Sequence, residues 1–225
     1  MRRNDPESVR AFVSALLHNW NQGSGPCGGC PFNSVAEQPE FAMGSERPQI
    51  LVVAQNPGGR GHLGRRVATR DPSLLDYFDT WMDEAKAGGW PMMQVLQEMT
   101  LGTRFAGLGE IYCTNVCKCR SYDKGNTGLS EATRRCTPYL GYEIQLLRPK
   151  AIVTFGRRAI SVVAAITGLN VPTLSMKDLH CRDFMNANTR QRTLVLQHWG
   201  RRKGSQYYRE IRTAFTRLAG TLESR

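Results

Sequence analysis

Apolar positions along the chain follow two rhythms. After Asp5-Pro6, a helix-start pair, the residues Val9, Phe12, Val13, Leu16, Leu17 and Trp20 recur at the helical period, which predicts a helix over residues 5–22 with one docking face. Ile50-Leu51-Val52-Val53-Ala54 is instead a continuous apolar run that stops at Asn56-Pro57-Gly58-Gly59, the pattern of a buried parallel strand feeding a turn. Residues 72–100 read as helical in two pieces broken by Gly88-Gly89. Further strands are predicted at 110–116, at 151–155 before Gly156, and at 193–196. A helix capped by Ser130 continues to Leu147, interrupted early by Pro138 and ended by Pro149, and a last helix covers residues 205–222.

Strands alternating with helices demand right-handed crossovers, so the predicted class is α/β with a parallel sheet covered on both faces. The 225 residues suit a single domain, 1–225, and show no internal repeat or low-complexity segment. In such sheets ligands bind beyond the carboxyl ends of the strands. Three strand ends carry suggestive residues: Gln55-Asn56-Pro57-Gly58, Thr114-Asn115-Val116 and Gln197-His198-Trp199-Gly200. Together they are expected to form one cleft.

Composition adds two bounds. Apolar residues make up 40% of the chain, and no run approaches the roughly 18 residues of a membrane span. The first residues, Met1-Arg2-Arg3-Asn4-Asp5, lack the apolar region of a signal peptide, so a soluble, cytoplasmic monomer is expected, with no membrane partner. The net charge is +11 and the pI is near 9.7. Basic residues cluster at Arg60, Arg65, Arg66 and Arg70, at Lys118, Arg120 and Lys124, and at Arg201, Arg202 and Lys203, which points to phosphates and hence to nucleic acid.

Four of the seven cysteines carry the clearest chemical signal. Cys27 and Cys30 form a C-x2-C pair in Gly25-Pro26-Cys27-Gly28-Gly29-Cys30-Pro31, and Cys119 and Cys136 follow as two distant singles. A C-x2-C turn presents two thiolates to one metal centre, and two distant cysteines complete four-fold sulfur ligation; the pattern alone leaves zinc and iron-sulfur open. Cys113 and Cys181 read as small buried hydrophobes. Cys117, two residues before Cys119, competes with it as a ligand. An odd cysteine count argues against a secreted disulfide framework.

These motifs, taken with Tyr112-Cys113-Thr114-Asn115-Val116-Cys117-Lys118-Cys119-Arg120, Cys136-x-Pro138-x-Leu140 and Arg148-Pro149 before the strand that ends at Gly156, resemble the iron-sulfur uracil-DNA glycosylases called family 4. The similarity runs from about residue 27 to 160 and more weakly through His198. It implies a three-layer αβα sandwich with a four-stranded parallel sheet, and a structural [4Fe-4S] cluster held by Cys27, Cys30, Cys119 and Cys136, with cluster-binding segments at 27–30 and 117–136. The implied activity is hydrolysis of the N-glycosidic bond of uracil, or a related deaminated or mismatched base, in DNA.

That chemistry assigns roles to the cleft. His198 suits a donor at the oxygen of the departing base. Asn115 suits reading of the base edge, because one carboxamide can accept from N3-H and donate to O4. The family usually has a carboxylate where this chain has Gln55, while Asn56 before Pro57-Gly58 resembles the mismatch-specific uracil and thymine glycosylases, in which the amide orients the attacking water. Gly58 leaves room where other uracil glycosylases place a bulky Tyr. Trp199-Gly200 replaces the family's Pro-Ser. The expected stacking aromatic is missing from residues 62–66, leaving Tyr77 or Phe78 as substitutes, and Arg201, Arg202 and Lys203 follow His198 as a phosphate clamp. The competing readings are a catalytically altered iron-sulfur DNA-binding protein on the same fold, and a zinc-stapled hydrolase of small nucleotides.

Overall fold

The computed structural model describes residues 8–33, 43–45, 47–55, 91–119, 127–200 and 204–223. Its elements are α1 (Val9–Gln22), β1 (Met43–Gly44), β2 (Ile50–Ala54), α2 (Pro91–Thr100), β3 (Ile111–Asn115), α3 (Leu129–Leu147), β4 (Ala151–Phe155), α4 (Arg157–Thr167), α5 (Met176–Leu179), β5 (Arg182–Met185), β6 (Arg192–Leu196) and α6 (Ser205–Glu223), with short 3-10 turns at Gly25–Cys27 and Arg104–Gly107.

The four strands expected from apolar runs are present and parallel, adjacent in the order β3-β2-β4-β6. The sheet nevertheless has six strands, not four, because β1 and β5 add one antiparallel strand at each edge. Neither carries an apolar run. β1 is only two residues long, and β5 reads Arg-Asp-Phe-Met, so its extended state comes from pairing with β6. The β5–β6 turn is built by Asn186, whose Oδ1 accepts from the N–H groups of Asn188 and Thr189 at 2.9 and 3.1 Å while its amide donates to Thr167 O at 2.7 Å.

Alternation along the strands divides the core into two layers. Ile50, Val52, Ala54, Cys113, Val153, Phe155, Leu194 and Leu196 face α2 and α6. Leu51, Val53, Tyr112 and Ile152 face α1, α3 and α4, so helices cover both faces of the sheet. α1 begins at Val9 and not at Asp5: Ser8 is its N-cap, with Oγ accepting from Ala11 N–H at 3.2 Å, and Gly23 closes it at φ 56°. Phe12 stacks on Tyr142 of α3 at 5.6 Å and meets Tyr139 edge-on at 6.1 Å.

α3 starts at Leu129, with Gly128 at the N-cap; Ser130 lies inside the first turn. The helix runs through Pro138 without ending. The proline removes a backbone donor, but Cys136 before it and Tyr139, Leu140 and Ile144 after it are buried, so packing on both sides holds the helix together. Of the two helical pieces expected over 72–100, the second is α2; the first lies outside the described residues. Among the described residues no helix is long and apolar enough to cross a membrane.

Candidate functional site

Parallel pairing aligns the strand ends, so the expected cleft residues share one edge of the sheet. Ala54 pairs with Asn115, and the ladder continues past both strands: Val116 N–H donates to Ala54 O at 2.8 Å and Cys117 N–H to Gln55 O at 2.9 Å. Beyond β4, Gly156 N–H donates to Leu196 O at 2.8 Å, which brings that turn beside the segment carrying His198. Gln55, Asn115 and His198 are all half-buried along this edge. No described residue hydrogen-bonds the Asn115 carboxamide. Asn56, Pro57 and Gly58, the basic residues Arg201, Arg202 and Lys203, and the aromatic candidates Tyr77 and Phe78 lie outside the described residues.

His198 is held from two sides. Gly200 N–H donates to its Nδ1 at 3.0 Å, which leaves the ring proton on Nε2 and makes that atom a donor. Trp199 stacks on the imidazole with centroids 4.1 Å apart and sets its own edge on Phe155 at 5.0 Å. A Cβ on Gly200 would fall 3.1 Å from His198 Nδ1, so glycine permits this close hydrogen bond. The Trp199-Gly200 pair therefore supports the ring through stacking and one backbone donor.

The peptide leading into His198 is clamped by residues that carry no signal in the sequence. Gln197 N–H donates to His180 Nδ1 at 3.0 Å, and Tyr207 Oη donates to Gln197 O at 2.8 Å. Because Nδ1 accepts, the His180 proton sits on Nε2, where Glu210 Oε2 accepts at 3.2 Å. His180 also stacks on Tyr207 at 5.6 Å and 9°. These residues are brought together by the β5–β6 hairpin and the return of α6; their common partner is a backbone peptide, which no side-chain motif announces.

A second unforeseen group lies under Asn115. Lys118, expected on the basic surface, is buried; its Nζ donates to Glu143 and to Thr114 Oγ1, and both charged side chains are only 2% exposed. Glu143 also accepts from Tyr112 Oη at 3.1 Å and Thr114 Oγ1 at 3.0 Å. One signal was readable: Glu143 interrupts the apolar stripe of α3 formed by Cys136, Tyr139, Leu140, Ile144 and Leu147. The pair locks the segment after β3 onto α3.

That segment ends among cysteines. Cys30, Cys117, Cys119 and Cys136 pack in one buried group with Phe32 and Leu129, and Cys27 lies alongside, its Sγ 3.6 Å from Tyr139 Oη. Cys117 Sγ donates to Cys119 O at 3.4 Å, so both candidates for the third ligand belong to the group. Arg135 donates to Gly28 O and ties the C-x2-C turn to α3. Burial raises the Cys27 and Cys30 thiols above their usual range. Cys136 is instead lowered to about 7, chiefly by its hydrogen bond with Cys117, with help from the Lys118 backbone N–H and charge. The same hydrogen bond and burial raise Cys117. Trp20 packs against this group, and its indole Nε1 is buried without a partner. Among the described residues no three histidine, cysteine or acidic side chains gather closely enough to hold a single metal ion.

The two remaining cysteines differ. Cys113 is buried in the sheet and its thiol is pushed up to about 12, as expected for a structural residue. Cys181 is half-buried, beside His180 Nε2 at 3.4 Å, and lines a surface groove.

A sequence model of the uracil DNA glycosylase superfamily matches residues 41–212. A type-4 uracil-DNA glycosylase of Sulfurisphaera tokodaii is 33% identical over 66 residues, a stretch that covers 29% of this chain and 30% of that protein.

Proposed function

The chain belongs to the uracil DNA glycosylase superfamily, and from that premise we propose that it hydrolyses the N-glycosidic bond of uracil, or of a related deaminated or mismatched base, in DNA, with water as nucleophile and an abasic site as product. The observation that carries this reading is the pairing of Asn115 and His198 on one edge of the sheet: a carboxamide with no described partner, and an imidazole whose tautomer makes Nε2 a donor.

In the reaction the bond from C1′ to the base nitrogen breaks and its electron pair leaves with the base. The oxygen of water bonds C1′, and the released proton neutralises the departing base. His198 Nε2–H stabilises negative charge growing on the base oxygen, while Asn115 accepts from N3-H and donates to O4, which selects against the inverted edge of cytosine. Asn56 aligns the water; an amide suffices, because a dissociative reaction needs positioning more than deprotonation. Gln55, Pro57 and Gly58 bound the base, and Arg201, Arg202 and Lys203 hold phosphates.

The cysteines suit a [4Fe-4S] cluster on Cys27, Cys30, Cys119 and Cys136, with zinc as the alternative. Five buried thiols in one region, although no three of them converge on a point, are the donor type such a centre needs, and the orphaned Trp20 N–H is a donor suited to a cluster sulfur. When bound, the cluster cross-links the N-terminal segment to the loop after β3 and takes no part in bond cleavage.

The test is cleavage of labelled DNA after alkali treatment, with uracil in single strands, opposite G and opposite A, and with thymine and hypoxanthine mismatches. Abasic product from wild type, lost in Asn56→Ala and His198→Ala, is expected. No product from an intact protein that binds DNA would overturn the enzyme reading and leave a binding module, the outcome that the missing carboxylate at Gln55 would then explain.

A further inference from the structure

A groove of about 510 Å3 opens between α5, the turn His180-Cys181 and α6. One wall is a straight file on α6: Arg209, Thr213 and Arg217 stand at i, i+4 and i+8, so the two arginines lie about 12 Å apart along the helix axis. Lys177 of α5 contributes a third cation. The single carboxylate in the lining, Glu210, is already engaged, accepting from His180 at 3.2 Å and from Gln206 at 3.0 Å. Neither Lys177 nor Arg209 is bonded by another described residue, and Arg217 reaches only the carbonyl of Cys181, at 3.4 Å.

Position gives the charge a meaning. The groove starts at His180, which bonds the Gln197 peptide next to His198, so its upper end abuts the candidate cleft. From there it is walled by α6 from Arg209 to Arg217 and by the turn at Cys181 that precedes β5. Cations spread over such a length match a run of phosphates better than one small anion.

We propose that this groove is a phosphodiester track that carries the strand flanking the target nucleotide, with Arg209 and Arg217 on separate phosphates and Lys177 on a third. The strand's origin in the cleft rests on the glycosylase reading; its binding in the groove does not. Each cation that neutralises a phosphate adds about 0.9 to the slope of log affinity against log salt on duplex DNA, and about 0.7 on single strands. The variant Lys177→Gln/Arg209→Gln/Arg217→Gln should therefore bind a labelled duplex of normal bases with a slope shallower by about 2.7, and a single strand by about 2.1, as read by anisotropy. The control Arg47→Gln/Arg148→Gln/Lys150→Gln removes the same charge before β2 and β4, at the opposite edge, and should keep the wild-type slope.

Cys181 supplies a readout that needs no substitution. Saturating DNA should slow its alkylation by iodoacetamide, followed by peptide mass. Equal slopes in wild type and the groove variant, an equal fall in the control, or a Cys181 rate indifferent to DNA would each overturn the track. Because the binding assay uses normal DNA, a protein that binds through the groove but releases no base from the uracil-containing and mismatched substrates would refute the glycosylase reading alone.

Discussion

Replacing Glu143 by alanine should strongly destabilise this protein. The substitution strands the Lys118 ammonium, 2% exposed, with Thr114 as its remaining acceptor, and removes the acceptor of the Tyr112 hydroxyl. Breaking a buried pair from one side costs about 3–5 kcal/mol, a large share of the roughly 5–15 kcal/mol that holds a domain together. For a chain of this size that corresponds to a fall in Tm of about 6–20 °C. The reverse change, Lys118→Met, should cost less, because Glu143 keeps two neutral donors, at 3.1 and 3.0 Å. The double variant Lys118→Met/Glu143→Leu should recover most of the loss, since an apolar pair of similar volume needs no compensation. Urea and thermal unfolding followed by circular dichroism measure all three. A loss below about 1 kcal/mol for Glu143→Ala, a reversed order of the single variants, or a double variant as unstable as Glu143→Ala would refute the account.

Other outcomes follow from the same geometry. In His180→Asn the amide oxygen can still accept from Gln197 N–H, whereas His180→Gln reaches toward Glu210 and leaves that N–H unmet; kcat for base release should fall roughly tenfold in the Gln variant and less in the Asn variant, with KM unchanged in both. Gly200→Ala should slow base release without altering DNA affinity, because its Cβ crowds His198 Nδ1 at 3.1 Å and pushes the ring from its place. Cys119→Ser should abolish bound iron and brown colour, and Cys117→Ser should keep both, as iron assay and absorption spectra would report. Arg134 and Arg135 hold the Glu131 carboxyl down from 4.5 to about 2, so its stabilising contribution is present above about pH 4.5 and is lost as pH falls towards 2. Glu131→Gln should accordingly lower the urea midpoint near neutral pH and leave it unchanged near pH 2.

What could be read from the sequence was what burial writes into a continuous run. Ile50–Ala54 and Ala151–Phe155 are buried at every position, and such stretches have few alternatives to a covered parallel strand. β5 was illegible because its mostly exposed residues become a strand only against β6. The start of α1 was misjudged because Asp5-Pro6 and Ser8 are both good helix-start signals, and Ser8 supplies the cap. At the site, Asn115 and His198 stood out because parallel strands bring their ends to one edge. The His180–Tyr207 clamp did not, since it acts on a peptide and spans separate elements. Lys118 looked like one more cation in a basic loop; only the fold shows that Glu143 faces it.

The staple between the N-terminal segment and α3 also sets an order on biosynthesis. Cys27 meets Tyr139, 112 residues further along the chain. At ribosomal speeds of about 5–20 residues per second, the apolar face of α1 and the first thiol pair wait roughly 5–20 s before their partners are made. During that interval Phe12 and the two thiols lack their α3 partners, and Leu16 has only part of its final packing, so the chain's most vulnerable state is an unfinished one. The closing of this staple, late in synthesis, is therefore the step at which the N-terminal helix and its thiols are finally covered.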